Sequence, residues 1–332
     1  MSKPKIAING MGRIGRAAFK IILDTPELEL AALNDLIAVD NLAYLINYDS
    51  VHGRHLPPAE AAPGELRLAE KRIPVYHEKN PSQLPWKELG IDAVLECTGV
   101  FRDAQSLQQH LDAGAKRVVL SAPAKDDTIP MVVYGVNTPP AGSPMISCAS
   151  CTTNCITPIV EVLERNIGVR KAILTTIHAY TASQALVDGP RNKWRRGRAA
   201  AVSFVPTSTG AARATTRILP DLAGRFDGIA VRGPVPSGSL ADIVFVTRTA
   251  TTVEAVNAAF REAAQSERYR GILGATDDPL VSADVVRDPR ATIVDLTMTT
   301  VVDGDLVKVL SWYDNEWGYT SQMVRALVRL TR

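Results

Sequence analysis

Lys5-Ile-Ala-Ile-Asn-Gly-Met-Gly-Arg-Ile-Gly15 is the stretch on which the fold of the first half of the chain turns. Residues 5–9 have the apolar character of a buried strand and run directly into Gly-x-Gly-x-x-Gly, after which residues 13–23 continue with a helical pattern. A second strand over residues 28–33 ends at Asn34-Asp35, placing Asp35 twenty residues past Gly15. Spaced glycines alone are a weak signal. Between a strand and a helix, with an acid at the end of the next strand, they predict a dinucleotide site. The glycines let a pyrophosphate reach the helix N-terminus, where backbone N–H groups and the dipole favour anions. Asp35 is expected to accept hydrogen bonds from the adenosine ribose. Gly10, Gly12, Gly15 and Asp35 are therefore candidate cofactor residues.

Working outward, residues 93–97, 117–122 and 131–136 are β-branched runs bounded by turn residues. Between the first two lies a helix with Asp103 as its cap, Leu107 and Leu111 on one face and Gly114 as its stop. Such alternation implies a parallel sheet covered by helices. Past residue 150 the texture changes. A helix over residues 152–166 precedes a strand over 171–177, and residues 180–204 follow with neither period, rich in Arg, Gly and small side chains. Loops that long inside a compact domain are usually functional. Further strands cover residues 227–232 and 241–247, and Asp303-Gly304 predicts a hairpin turn between 292–301 and 306–312. Thr251 and Glu254 read as a capping box, with Val253, Val256, Phe260 and Ala263 lining the helix behind it. A final amphipathic helix carries Met323, Val324, Leu327 and Val328. The expected fold is α/β: an N-terminal Rossmann-type doubly wound domain over residues 1–150, then an α+β catalytic domain with a mixed sheet over 151–316, then a closing helix over 317–332.

Composition narrows the function. At 332 residues, 46% apolar and 22% charged, the chain matches an ordinary soluble globular protein rather than a disordered, coiled-coil or collagen-like one. Thirty-seven Lys and Arg against 35 Asp and Glu leave a net charge of +2, too small to call for nucleic acid or an anionic membrane. No apolar stretch approaches the roughly 18 residues of a membrane span. The opening apolar run is short for a signal peptide, so the expected compartment is the cytoplasm. The basic run Arg191, Lys193, Arg195, Arg196 and Arg198 reads as a solvated or subunit-contacting loop.

Of the four cysteines, Cys148, Cys151 and Cys155 fall within eight residues, and Cys97 stands apart. They admit three readings: small core cysteines, a metal or iron–sulfur ligand set, or a nucleophile. The spacing fits neither paired Cys-x2-Cys zinc ribbons nor ferredoxin runs. A thiol at a helix N-terminus has a lowered pKa, and Cys151 occupies that position while Cys155 lies about one turn inside. A thiol beside a dinucleotide site suggests aldehyde oxidation. Of five histidines, His52 and His55 fall in a polar loop, His77 adjoins a short strand and His110 lies on a helix. His178 ends an apolar strand where a loop begins, which makes it the candidate base.

Asn9-Gly-Met-Gly-Arg-Ile-Gly-Arg16, Ala149-Ser-Cys-Thr-Thr-Asn154, His178-Ala-Tyr-Thr181, Pro206-Thr-Ser-Thr-Gly-Ala-Ala212 and Trp312-Tyr-Asp-Asn-Glu-Trp-Gly-Tyr319 occur in this order. Together they closely resemble the phosphorylating glyceraldehyde-3-phosphate dehydrogenase family, from Lys5 to the C-terminal helix. The resemblance implies NAD as cofactor, Cys151 as nucleophile and His178 as base. It adds Arg13, Ile14, Lys79, Thr98, Gly99, Ser121, Asn315 and Tyr319 to the cofactor residues, with Asn315 orienting the nicotinamide carboxamide. Thr181 and Arg232 match the site for the substrate phosphate, and Ser150, Thr152, Thr209 and Gly210 the site for inorganic phosphate. It further implies a last helix packed on the first domain, no resident metal, no dedicated nucleic-acid or membrane partner, and a homotetramer with the 180–204 loop near cofactor and subunit contacts.

The chain departs from the family pattern at Met11, Lys79, Cys148 and Gly233. Cys148 places a second thiol near Cys151, open to oxidative pairing, and Gly233 loosens the backbone beside Arg232. The alternatives are an erythrose-4-phosphate dehydrogenase, whose usual differences after the histidine and in the Ser-Thr-Gly-Ala-Ala stretch are absent here, and a cysteine-rich metal-binding protein.

Overall fold

The strand Lys5–Asn9 is flanked on both sides by parallel partners, Glu29–Asn34 and Ala93–Glu96. Ile6, Ala7 and Ile8 are completely buried, as a strand covered on both faces requires. The computed structural model describes residues 2–332. In this first sheet the strands run Met145–Ser147, Val118–Leu120, Ala93–Glu96, Lys5–Asn9, Glu29–Asn34, Lys71–Tyr76, Glu65–Leu68 and Glu60–Ala62. The first six are parallel, and the edge closes with two antiparallel strands. Numbered along the chain, those six parallel strands lie in the order 6-5-4-1-2-3, the doubly wound Rossmann arrangement. Its switch point falls between Lys5–Asn9 and Ala93–Glu96, and ligands bind off the carboxyl ends of such strands.

The second sheet orders Val205–Ser208, Phe226–Gly233, Val169–Ala179, Ser239–Thr247, Leu306–Tyr313, Thr292–Val302 and Leu273–Thr276. It is mixed: Val169–Ala179 pairs in parallel with Phe226–Gly233 and antiparallel with Ser239–Thr247. Alternate residues of Ser239–Thr247 are buried, the pattern of a sheet with one covered face. Cys155, Ile156, Ile159, Val160 and Leu163 from the helix Cys151–Asn166 join Ile243, Phe245, Phe260, Val307 and Val309 in one core. The chain divides into two compact units. One runs to Val132 and includes Thr138–Ala149 and Met323–Arg332; the other comprises Val133–Asn137 and Ser150–Gln322.

Three expectations need correction. Residues 131–136 do not form a strand: Met131 makes a single bridge to Ser147, and the edge of the sheet is Met145–Ser147 instead. The β-branched run ends too soon in a turn, with Gly135 at φ +83° and the Val133 N–H held by the Asn137 side chain at 2.8 Å. The cap of the helix Val253–Gln265 is Thr252, whose hydroxyl accepts from the Ala255 N–H at 3.2 Å. Thr251 is taken by the hairpin, its N–H donating to the Gly304 carbonyl at 2.7 Å. Finally, the segment of 180–204 is not wholly irregular, since Trp194–Gly197 forms a short 3-10 turn.

Candidate active site

The first unit carries a cleft of about 500 Å³ lined by Asn9, Gly10, Gly12, Asp35, Lys79 and Thr98, among others, at the switch point. Its glycines are there for geometry. A Cβ on Gly10, itself at φ +93°, would meet the Thr98 backbone nitrogen at 2.5 Å, and one on Gly15 would run into the Gly10 carbonyl. At Gly12 a substituent would meet nothing within 4 Å, so that glycine faces open space. Gly12 is also the N-cap of the helix Arg13–Leu23 and has no side-chain cap, leaving first-turn N–H groups for an anion. One Asp35 oxygen accepts the Met11 N–H at 2.6 Å and the other the Ile37 N–H at 3.1 Å. These residues fit a dinucleotide.

Beneath the cleft lies a buried polar network that sequence reasoning missed. Glu96, fully buried, accepts from Asn9 Nδ2 at 2.6 Å, from the Thr98 N–H at 2.8 Å and from the Thr98 hydroxyl. Trp86 Nε1 donates to His110 Nδ1 at 3.1 Å, so His110 presents its Nε2 proton to Glu96 at 3.1 Å. Asn9 and Thr98 are thus held rigidly at the cleft wall. The one signal in the sequence was an acid ending an otherwise apolar strand. Gly99 follows at φ +72°, and the Ser121 side chain bonds Cys97. Arg13 pairs with Asp49 at 2.8 Å, Ile14 is half-buried on the same first helical turn, and Lys79 is exposed.

In the second unit, the helix Cys151–Asn166 starts at Cys151 because Ser150 caps it, accepting the Thr153 N–H at 3.1 Å. Cys151 Sγ lies 3.3 Å from His178 Nε2. His178 sits one residue before the end of the strand Val169–Ala179, 4% exposed, with the Tyr313 ring edge-on at 6.0 Å. On the other side its Nδ1 is 2.7 Å from the Ala179 carbonyl and 2.7 Å from an Arg232 nitrogen. The expected lowered thiol pKa is not what this arrangement gives. Burial pushes the Cys151 thiol up, only partly offset by the Arg232 guanidinium and the bonds from Thr152. Burial and then the Arg232 charge hold the His178 imidazole down to about 3. Burial disfavours the charged form of both partners, whereas the Arg232 guanidinium favours the thiolate and disfavours the imidazolium. Cys155 is buried against Thr292 at 3.3 Å, its thiol pushed up to about 12 by burial, and burial raises Cys148 to about 12 as well. All four cysteines are thiols, and among the described residues no three His, Cys, Asp or Glu side chains converge as metal ligands.

Thr152 turns its hydroxyl to Tyr313 at 2.9 Å, and Tyr313 also bonds Thr176 at 2.8 Å. Ser239 accepts the Ala179 N–H at 3.1 Å and donates to Asn315 Oδ1 at 2.8 Å, which leaves Asn315 Nδ2 as the donor for a ligand. Tyr319 is buried. Thr181 bonds Ser183 at 2.8 Å, the Thr209 hydroxyl accepts the Ala211 N–H at 3.2 Å, and Gly210 opens the helix Ala211–Ile218. Arg196, which the sequence placed in a solvated run, is half-buried and reaches Thr207 at 3.0 Å and Ser183 at 3.4 Å. Among the described residues no acid pairs with Arg196 or Arg232. Two partly desolvated guanidinium groups, one of them bonded to the Thr207 and Ser183 hydroxyls, could hold an anion.

Two family models match the chain: the NAD binding domain of glyceraldehyde 3-phosphate dehydrogenase over residues 4–104 and its C-terminal domain over residues 150–315. The chain is 44% identical over 332 residues to the glyceraldehyde-3-phosphate dehydrogenase of Zymomonas mobilis, covering 99% of this chain and 98% of the relative. It is 48% identical over 330 residues to that of Clostridium acetobutylicum, covering 97% of each. With that of Haloarcula vallismortis the identity is 46% over 329 residues, covering 98% and 97%.

Proposed function

The chain belongs to the glyceraldehyde 3-phosphate dehydrogenase family, and from that premise we propose that it oxidises glyceraldehyde 3-phosphate and phosphorylates the product, using Cys151 as nucleophile and His178 as base. The observation that carries this reading is the 3.3 Å contact between Cys151 Sγ and His178 Nε2, beside Arg196 and Arg232, which pair with no acid among the described residues. The family makes the enzyme an NAD-dependent oxidoreductase, and its relatives favour glyceraldehyde 3-phosphate over erythrose 4-phosphate.

The Cys151 sulfur adds to the aldehyde carbon while its proton passes to His178 Nε2 and on to the former carbonyl oxygen, giving a thiohemiacetal on the protein and a neutral ring again. Arg232 and Thr181 hold the substrate phosphate. His178 then takes the hydroxyl proton of the thiohemiacetal. Gly10, Gly12, Arg13, Ile14, Gly15, Asp35, Lys79, Thr98, Gly99, Ser121, Asn315 and Tyr319 would hold NAD, which would supply a hydride acceptor. Inorganic phosphate, held by Ser150, Thr152, Thr209 and Gly210 with Arg196, attacks the Cys151 thioester; the carbon–sulfur bond breaks, the acyl phosphate leaves, and the Cys151 sulfur recovers a proton from His178. Arg196 is our addition, on the strength of its burial without an acid.

We place the enzyme in the cytoplasm as a homotetramer. Supporting assembly, Leu186, Val187, Trp194, Val202 and Phe204 expose 73–88% of their surface along one loop, an apolar load that a monomer rarely leaves in water. Among the described residues no helix is long and apolar enough to cross a membrane. Following NADH formation from glyceraldehyde 3-phosphate with phosphate present or omitted tests the reaction. Sustained turnover that ignores phosphate would remove the phosphorylating step.

A further inference from the structure

The strand Ser239–Thr247 runs between Val169–Ala179 on one side and Leu306–Tyr313 on the other. Its first residue stands where the ends of its two neighbours, each carrying part of the site, come together. Ser239 pairs across the sheet with Tyr313, two residues before Asn315, and its side chain reaches Ala179, the neighbour of His178. The chain is held on the way in. Gly238 is at φ +83°, where a Cβ would strike the Ser282 carbonyl oxygen, and Ser237 donates to an Asp314 oxygen at 3.0 Å. The Asp314 carboxylate also takes the N–H groups of Arg287, Glu316 and Trp317. The backbone on either side of Asn315 is thereby tied down.

A side-chain amide on a fixed backbone can still turn over, and the turn exchanges a donor for an acceptor of nearly the same shape. Ser239 decides between the two. Its oxygen accepts the Ala179 N–H at 3.1 Å, and the residue is completely buried, so among the described residues its proton has one partner left, Asn315 at 2.8 Å. A proton needs an acceptor, which puts Oδ1 against Ser239 and turns Nδ2 away from it. The reversed amide would leave the Ser239 proton buried and unpaired, and a buried polar group without a partner is costly. Asn315 Nδ2 has no partner among the described residues and is not sealed inside, so it stays open to a ligand.

We propose that Ser239 is the positioning residue that fixes the Asn315 amide with its donor outward, so that Nδ2 is preset to give a hydrogen bond to the carboxamide oxygen of the nicotinamide. This rests on the reading that Asn315 orients the nicotinamide carboxamide. A preset donor has no rotation to give up when the cofactor arrives. The same hydroxyl holds the Ala179 peptide, whose carbonyl meets His178 Nδ1 at 2.7 Å. One buried side chain thus registers the candidate base and the nicotinamide contact to each other.

The test is calorimetric binding to the full-length protein of NAD and of ADP-ribose, which keeps the adenosine, the pyrophosphate and the second ribose but has no nicotinamide. Ser239→Ala removes the donor and frees the amide to turn. Its Kd for NAD should rise about fivefold, the scale of one lost neutral hydrogen bond, while its Kd for ADP-ribose should not change. Asn315→Ala should weaken NAD at least as much. Adding Ser239→Ala to it should cost nothing further, because a residue that acts through Asn315 has nothing to act on once that side chain is gone. Ser239→Cys keeps a weak donor, so its NAD affinity should fall between wild type and Ser239→Ala, and it carries the comparison if Ser239→Ala does not fold. Equal losses of NAD and ADP-ribose in Ser239→Ala, or losses that add in the double variant, would make Ser239 a support of the fold and overturn the proposal. A loss in Asn315→Ala with none in Ser239→Ala overturns the proposal alone. NAD bound as tightly by Asn315→Ala as by wild type overturns the reading of Asn315, and the proposal with it.

Discussion

His178 and Arg232 are register partners on adjacent parallel strands, Val169–Ala179 and Phe226–Gly233. Neighbouring strands lie about 4.8 Å apart, so a guanidinium on one is carried straight to the imidazole on the other. Gly233 does not free Arg232 here: it is itself the last residue of that strand, paired with Ala179. Arg232→Leu should lower kcat/KM on glyceraldehyde 3-phosphate by roughly two orders of magnitude or more, as expected when a charged bond to a dianion is lost. Efficiency on glyceraldehyde, which has no phosphate to bind, should not fall. Parallel losses on both substrates would mean that Arg232 only supports the fold.

Ser183 offers a test of the proposed inorganic-phosphate site. Its hydroxyl is 3.4 Å from an Arg196 nitrogen. Ser183→Asp would supply the acid that Arg196 lacks, and the internal ion pair would compete with the anion. KM for inorganic phosphate should rise about tenfold with little change in KM for NAD, as steady-state kinetics with each substrate varied would reveal.

Cofactor choice is expected to depend on Asp35. Its carboxylate ties down the Met11 N–H at 2.6 Å and lies on the cleft wall, while its neighbour Leu36 is 63% exposed and offers no donor. A 2′-phosphate there meets like charge, so NAD should be preferred over NADP by at least about tenfold in kcat/KM. Asp35→Asn keeps an acceptor for Met11 and removes the charge, and NADP efficiency should rise. Equal use of both cofactors by wild type would point to Lys79, on the same cleft, as a rescuing cation.

Two thiols one helical turn apart should behave oppositely. Cys151→Ala should abolish NADH formation with the melting temperature nearly unchanged. Cys155→Ala should keep most activity and lose about 1 kcal/mol of stability, because Cys155 fills core space beside Ile159 and meets Thr292. Iodoacetate should label Cys151 only, since Cys155 is fully buried with its thiol raised to about 12. Mass spectrometry of the labelled peptide decides it.

The acid side of the stability curve should carry the signature of His178. Its folded pKa lies near 3, below the value of about 6.5 in an unfolded chain. The unfolded state therefore binds the proton first. The neutral ring's contribution is fully present above about pH 6.5 and is lost as pH falls toward 3. Urea midpoints should drop across that window, and His178→Asn should flatten part of the drop. Above pH 6.5 the ring does not titrate, so alkylation of Cys151 by neutral iodoacetamide should follow the thiol alone, rising about tenfold per pH unit.

Local rules made much of this molecule legible. A strand, three glycines, a helix and an acid at the next strand end fixed the Rossmann half, because each is a short-range requirement of one phosphate-binding turn. The helix expected from residue 152 begins one residue earlier, at Cys151, with Ser150 as its cap, and the hairpin turn at Asp303-Gly304 follows from two residues that tolerate positive φ. Where one residue could serve two partners, local reasoning slipped: Thr251 looked like a cap, but its N–H was claimed by Gly304 from another strand pair.

The amino-acid sequence by itself determined the fold class, the cofactor turn and which thiol stands at a helix N-terminus, since all of these depend on neighbours within one turn or one strand. Tertiary structure alone decided the protonation of the thiol–imidazole pair and the presence of Arg232 on the ring. Strand register sets both, and register is fixed by how 11 residues of Val169–Ala179 and eight of Phe226–Gly233 bury their apolar faces together. A helix dipole lowering a thiol pKa can be read from one segment. The burial that outweighs it and that holds the imidazole down, and the distant arginine that adds to it there, exist only once separate segments have packed.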